Sequence, residues 1–186
     1  MARVAEWLKD EPIAAIYSSP RARAVESAGI LAEQMSTQHV QVPLPDARGS
    51  ERQEVSTRHA SVCVPQLSEI DFGDFEGLPY DEIVVRYPEL YRQWMETPTE
   101  VRFPNGESFR EMRIRVLNAF DAIEREWKDQ TVAIVSHGGV NRILIAWALQ
   151  IPDKCLFRLA QDYAAANLLA VEDGTPSVKL INHRVA

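Results

Sequence analysis

Two stretches of the chain are built alike, and together they narrow the possible folds more than any other feature. Ile13–Tyr17 (IAAIY) is a short apolar run, interrupted by Ser18-Ser19-Pro20 and followed by the alanine-rich segment Arg21–Gln34. Thr131–Val135 (TVAIV) is a second apolar run, broken by Ser136-His137-Gly138-Gly139 and followed by the mostly apolar Val140–Leu149. Short apolar runs bounded by turn residues suit strands buried on both faces. A buried strand that passes through a tight turn into a helix is the repeating unit of a layered α/β sheet, with parallel pairing and right-handed crossovers as the default. Ser19 followed by Pro20 predicts the cap and first position of the helix over 21–34.

The remaining segments fit that class. From Ser108 to Lys128, Phe109, Met112, Val116, Phe120, Ile123 and Trp127 recur every three or four residues, which predicts one apolar helix stripe. Ser108 and Glu111 have the spacing of a capping box. Asn167–Val171 and Ser177–Ile181 bracket Glu172-Asp173-Gly174-Thr175, predicting a hairpin around an Asp-Gly turn. Gln38–Pro65 is mostly polar with three prolines and no sustained period, so an irregular surface flap is expected there. With 186 residues, 46% of them apolar, the expectation is a single domain over 1–186 around one core.

Charge and composition exclude several classes of partner. The net charge of −7 argues against nucleic acid or an anionic membrane, so an anionic ligand would need its own local positive charge. No apolar run approaches the roughly 18 residues of a membrane helix. The first residues, MARVAEWLKDEP, lack the apolar core of a signal peptide. Cys63 and Cys155 form no CxxC pair, and a reduced, cytoplasmic setting is expected.

The two matched junctions are also where chemistry is expected. Open α/β sheets collect ligands at the carboxyl ends of their strands, and helix N-termini there present free N–H groups that suit an anion. Arg23 falls in the first turn of one helix, His137 falls on the turn before the other, and Gly138 and Gly139 let a ligand approach the backbone. An arginine, a histidine and two helix N-termini at one sheet edge predict a phosphate site. Taken singly, Arg23 reads as a solvated helix arginine and His137 as a satisfied turn histidine; their matched placement favours the site. A third piece, Leu67–Gly77 (LSEIDFGDFEG), sets carboxylates among aromatic residues. An acid in apolar surroundings can hold a proton and give it to a leaving oxygen. The plainer alternative is a charged loop packed on Phe72 and Phe75, and the residues alone do not choose among the carboxylates.

Taken in order, SSPRARAVESA, LSEIDFGDFEG, PNGES and VSHGG resemble the histidine phosphatase superfamily in its phosphoglycerate mutase-like branch. Ser27 stands where that family usually has threonine. The C-terminal Gln161-Asp162-Tyr163, Asn167 and Ile181-Asn182 resemble its small phosphatase members. The resemblance implies an α/β three-layer sandwich with a mostly parallel central sheet. It also implies a phosphoryl-transfer site that needs no metal and no cofactor. By position, Arg23, His137 and Gly138 would bind the phosphoryl group, His137 would also stabilise it in transit, and Glu69 would protonate the leaving group. Glu107, in PNGES, matches a family motif without an assigned step. The implied activity is that of a phosphomonoesterase passing phosphate from a small ester to a histidine and then to water. A phosphomutase and a non-catalytic phosphate-binding protein are the alternatives.

The family begins with an apolar strand ending in Arg-His-Gly, whose histidine is the nucleophile, and this sequence holds no such segment. MARVAEWL reads as the remainder of the family's first helix. The expectation is therefore an N-terminally truncated member whose first central strand is missing, with impaired turnover, or a homodimer that hides the gap. Arg58-His59-Ala60 imitates the motif, but it has alanine for glycine and a polar approach, so it is not expected to substitute. His39 and His183 lie in loop-like or terminal contexts. Substrate choice is expected in the flap and after Gly77, although helix packing is the favoured reading of Tyr80, Tyr87, Tyr91 and Trp94.

Overall fold

The structure is a computed structural model describing residues 1–35 and 61–185. Strand β1 (Ile13–Ser18) is buried at nearly every position, as its apolar run requires. It lies between two parallel neighbours, β2 (Val62–Cys63) and β3 (Thr131–Val135), in a three-stranded sheet. Helix α1 (Ala2–Leu8) and helix α2 (Ala22–Gln34) cover one face, where Ala5, Ile13, Ile16, Ala28, Leu31 and Ala32 pack together. The other face, carrying Ala15 and Tyr17, packs on α5 (Phe109–Glu126) and α6 (Gly138–Ala148) through Phe109, Met112, Val116, Val140 and Ile143. The alternation along β1 is the period of two expected of a strand. A register shift between Ile13 and Ala15 lets Ile13 join the same face as Ile16.

Helix α5 starts as its sequence predicts. The Ser108 N–H donates to Glu111 Oε2 at 2.8 Å, and the Glu111 N–H donates to Ser108 Oγ at 3.3 Å, closing the capping box. At its other end the buried Tyr17 hydroxyl accepts from Trp127 Nε1 at 2.7 Å and donates to Glu126 Oε2 at 3.2 Å, tying β1 to the end of α5. Burial raises that phenol to about 12. Strands β4 (Ala166–Glu172) and β5 (Thr175–His183) form the predicted antiparallel hairpin. Asp173 (φ 49°) and Gly174 (φ 74°) occupy its turn, the left-handed pair that matches strand twist.

The aromatic residues after Gly77 belong to two short helices, α3 (Tyr80–Arg86) and α4 (Pro88–Glu96). Trp94 packs on Phe72, Phe75 and Phe103, and Tyr87 on Phe75, so helix packing accounts for them. Tyr80 stacks on Trp94 with ring centroids 6.0 Å apart.

Three expectations are corrected. Helix α2 begins at Ala22 with Arg21 as its N-cap residue, so Ser19 and Pro20 lie outside it. The Ser19 hydroxyl accepts the Arg21 N–H at 3.3 Å ahead of the helix and has a second, distant partner described below. Most of the expected flap, residues 38–60, lies outside the described residues, but its end is ordered as β2, with Val62 and Val64 buried. Strand β3 is only half-buried, despite its mostly apolar sequence, because among the described residues it pairs with β1 alone. The β4–β5 hairpin forms a separate two-stranded sheet, although α6 packs against both of its strands.

Candidate active site

Both matched junctions converge. Strand β1 delivers Ser19 and the start of α2 delivers Arg23, while β3 ends at a turn that makes His137 the N-cap residue of α6. Arg23 Nη2 lies 3.0 Å from His137 Nδ1, and His137 Nε2 lies 2.7 Å from Ser19 Oγ. A guanidinium only donates, so Nδ1 is the acceptor. The neutral ring therefore carries its proton on Nε2 and donates it to the Ser19 hydroxyl. His137 is only 6% exposed. Burial, and then the Arg23 charge, push its pKa below the usual histidine value; Glu69 pulls the other way with less effect.

Among the carboxylates of Leu67–Gly77, the geometry separates Glu69 from the rest. Glu69 Oε2 accepts the Gly139 N–H at 3.1 Å, at the N-terminus of α6, and Oε1 accepts the Ile70 N–H at 3.1 Å. Asp71 accepts from the Gly73 N–H, Asp74 from Asn105 and Tyr87, and Glu76 faces Arg21 at 3.6 Å. The smallness of Gly139 belongs to this contact rather than to ligand approach. A Cβ there would run into the Glu69 carboxylate and stand 3.0 Å from Met112 Cε. Gly138 is the first residue of α6; its N–H is one of the four that a helix leaves without a partner inside itself.

A cavity of about 990 Å³ opens beside this cluster, lined by Pro20, Arg21, Ser68, Glu69, Arg102 and Arg115, among others. Arg23 and His137 are not among its lining residues. Arg21 is also close enough to His137 for its charge to be felt there. Among the described residues, one further histidine could serve as nucleophile, and it is not brought in. His183 packs against Trp7 with ring centroids 5.3 Å apart, and His39 and His59 lie outside the described residues. Among the described residues, no group of three or more His, Cys, Asp or Glu side chains is placed to hold a metal ion, and no helix is long and apolar enough to cross a membrane.

Two roles escaped the sequence. Ser19 looked like a helix cap, and nothing in its local pattern pointed to a histidine 118 residues away. Arg115 lies off the apolar stripe of α5, where no local pattern singles it out, but it is engaged with the loop that carries Glu69.

The chain matches the Histidine phosphatase superfamily (branch 1) over residues 1–44 and 53–184. A bifunctional protein of Mycobacterium tuberculosis is 33% identical over 171 residues, covering 91% of this chain and 41% of that protein. Phosphoserine phosphatase 1 of Hydrogenobacter thermophilus is 26% identical over 156 residues, covering 81% of this chain and 74% of that protein. The chain thus spans about two fifths of the mycobacterial relative's length. The solved structure of Bacillus stearothermophilus YhfR matches with a TM-score of 0.80 at 25% identity, covering 98% of this chain and 80% of that one.

Proposed function

The chain belongs to the histidine phosphatase superfamily, branch 1, and from that premise we propose that its site is a phosphomonoesterase site for small phosphate esters. One observation carries the reading: Arg23, His137 and the Glu69 carboxylate meet at the N-terminus of one helix, α6. Arg23 and the first N–H groups of α6, that of Gly138 included, bind the phosphoryl oxygens. Burial and Arg23 hold the proton off His137. An arriving phosphate dianion reverses that balance, so the ring takes up a proton and donates to the phosphoryl group. Glu69 exchanges its backbone contacts for the leaving oxygen and supplies the proton that oxygen needs. Positive charge and positioning do the catalytic work, as phosphoryl transfer requires.

The nucleophile is a separate matter. His137 is committed to Arg23 and Ser19, and the other described histidine, His183, is beside Trp7. That observation favours a second reading, a protein that binds phosphate without transferring it. Under both readings the small phosphate ester is the ligand; a second copy of the chain is the proposed protein partner, at the open edge of β3.

Two measurements on the 186-residue chain separate these readings. Calorimetry should detect vanadate binding, and Arg23→Ala should weaken it ten- to a hundredfold. A hydrogen bond to a charged group contributes about 1.5–3 kcal/mol, and each ~1.4 kcal/mol is tenfold in Kd. No binding by the wild type overturns both readings. Hydrolysis of p-nitrophenyl phosphate from acid to neutral pH, abolished by His137→Ala, establishes the phosphomonoesterase and makes His59 the first residue to replace. Binding without turnover leaves the phosphate-binding reading.

A further inference from the structure

The segment that carries Glu69 is neither helix nor strand. It runs through a short 3₁₀ turn, Pro65–Leu67, and then extends to Asp71, so no ladder fixes its backbone. One side chain supplies that missing order. Arg115, two turns into α5, uses all five of its N–H groups. Nη1 donates to the Gln66 carbonyl at 2.6 Å and to the Ser68 carbonyl at 2.8 Å. Nη2 donates to the Glu69 carbonyl at 3.2 Å and to Glu107 Oε2 at 2.7 Å, and Nε donates to Glu107 Oε1 at 2.6 Å. The side chains of Arg115 and Glu107 are 22% and 14% exposed, so water competes little for these bonds.

Glu107 extends the grip. Its N–H donates to the Asp71 carbonyl at 2.9 Å, just beyond Glu69. From the opposite side, Ser136 Oγ donates to the Leu67 carbonyl at 2.6 Å. The carbonyls of residues 66, 68 and 69 are thus fastened to α5, and that of residue 67 to the turn bearing His137. The side chain of Glu69 starts from a backbone fixed on both sides and ends on the Gly139 N–H.

We propose that Arg115 is a positioning residue for Glu69, and that Glu107 is the counter-charge holding its guanidinium in the plane this needs. The proposal rests on the reading of Glu69 as the proton donor. It also gives the PNGES motif a role, since Glu107 touches no reacting atom but orients the arginine that aims the acid. Ion-pair strength alone does not explain the arrangement, since a partly buried pair is weak evidence of stabilisation. What the site uses is the planar fork, which a lysine with its single nitrogen cannot reproduce.

The Gly139 amide proton reports directly on the Glu69 carboxylate, so the test needs no turnover. In a ¹H–¹⁵N NMR pH titration, the wild-type Gly139 amide should follow the ionisation of Glu69, and Glu69→Gln should abolish that response. Arg115→Lys keeps the charge and removes the fork. It should at least halve the response, while amides of β1 and α2 and the binding of vanadate stay as in the wild type. A wild-type Gly139 response in Arg115→Lys overturns the proposal. Should that variant fail to fold, Glu107→Gln is read by the same signal: a reduced response supports the clamp and an unchanged one overturns it. Failure of the phosphatase reading looks different, because wild-type protein would then show the Gly139 response intact and bind no vanadate.

Discussion

Arg23 can only donate, and that one-sidedness settles the chemistry of the ring beside it. His137 must be an acceptor at Nδ1, so its own proton sits on Nε2 and turns toward Ser19. Burial and the Arg23 charge lower its pKa in the folded state. Below the unfolded value of about 6.5 the unfolded chain takes a proton that the folded chain refuses. The contribution of His137 to stability is therefore complete above about 6.5 and is lost as pH falls through the lowered folded value. Thermal melts should show the wild type losing Tm relative to His137→Gln as pH drops below about 6.5; parallel curves would contradict a depressed histidine. The sequence could name Arg23 and His137 because each sits on a turn of recognisable form. It could not name Ser19 as their partner, nor pick Glu69 by residue pattern alone from neighbouring acids. Both depend on contacts across more than 60 residues of chain.

At the level of elements, legibility followed the length of the pattern. Helix α5 has 18 residues, and its stripe and cap were readable before any contact was known. The hairpin was readable from its Asp-Gly turn. Strand β2 has only two residues, too few to show a period, and it exists because Tyr17 and Ser18 offer it a partner. The start of α2 lies two residues beyond the expected one, because the Ser19 hydroxyl, shared between the Arg21 N–H and a distant histidine, fits a cap pattern without capping the helix. The cap of α5 allows a direct check, because Arg115 rides on that helix. Ser108→Ala removes the acceptor for the Glu111 N–H and should cost about 1 kcal/mol in denaturant unfolding, the usual worth of a serine cap. A loss near zero would mean that the Arg102–Glu111 pair, joined at the same end, holds the turn without the serine.

The whole molecule adds what neither residues nor elements could: where each strand lies in the sheet. IAAIY and TVAIV are both mostly apolar, yet among the described residues β1 is interior and β3 has a strand on one side only. Sequence pattern reports how apolar a strand is, not how many neighbours it finds. The Val135 carbonyl accepts the Ser19 N–H, which marks the side of β3 that faces β1 and the junction after it. Backbone groups alternate sides along a strand, so the N–H groups of Val132 and Ile134 point to the open edge. An apolar edge with unpaired N–H and C=O groups is a template for a second chain. The chain should therefore associate with itself as concentration rises, with sedimentation showing the mass move from one copy toward two. Val132→Pro removes an outward N–H and leaves the bonds to β1 in place, since proline is tolerated on the solvent side of an edge strand. That variant should stay folded and remain a single copy at concentrations where the wild type has paired. Equal association of the two proteins would move the contact away from β3, and a wild type that stays monomeric throughout would mean that the half-buried edge is satisfied by water.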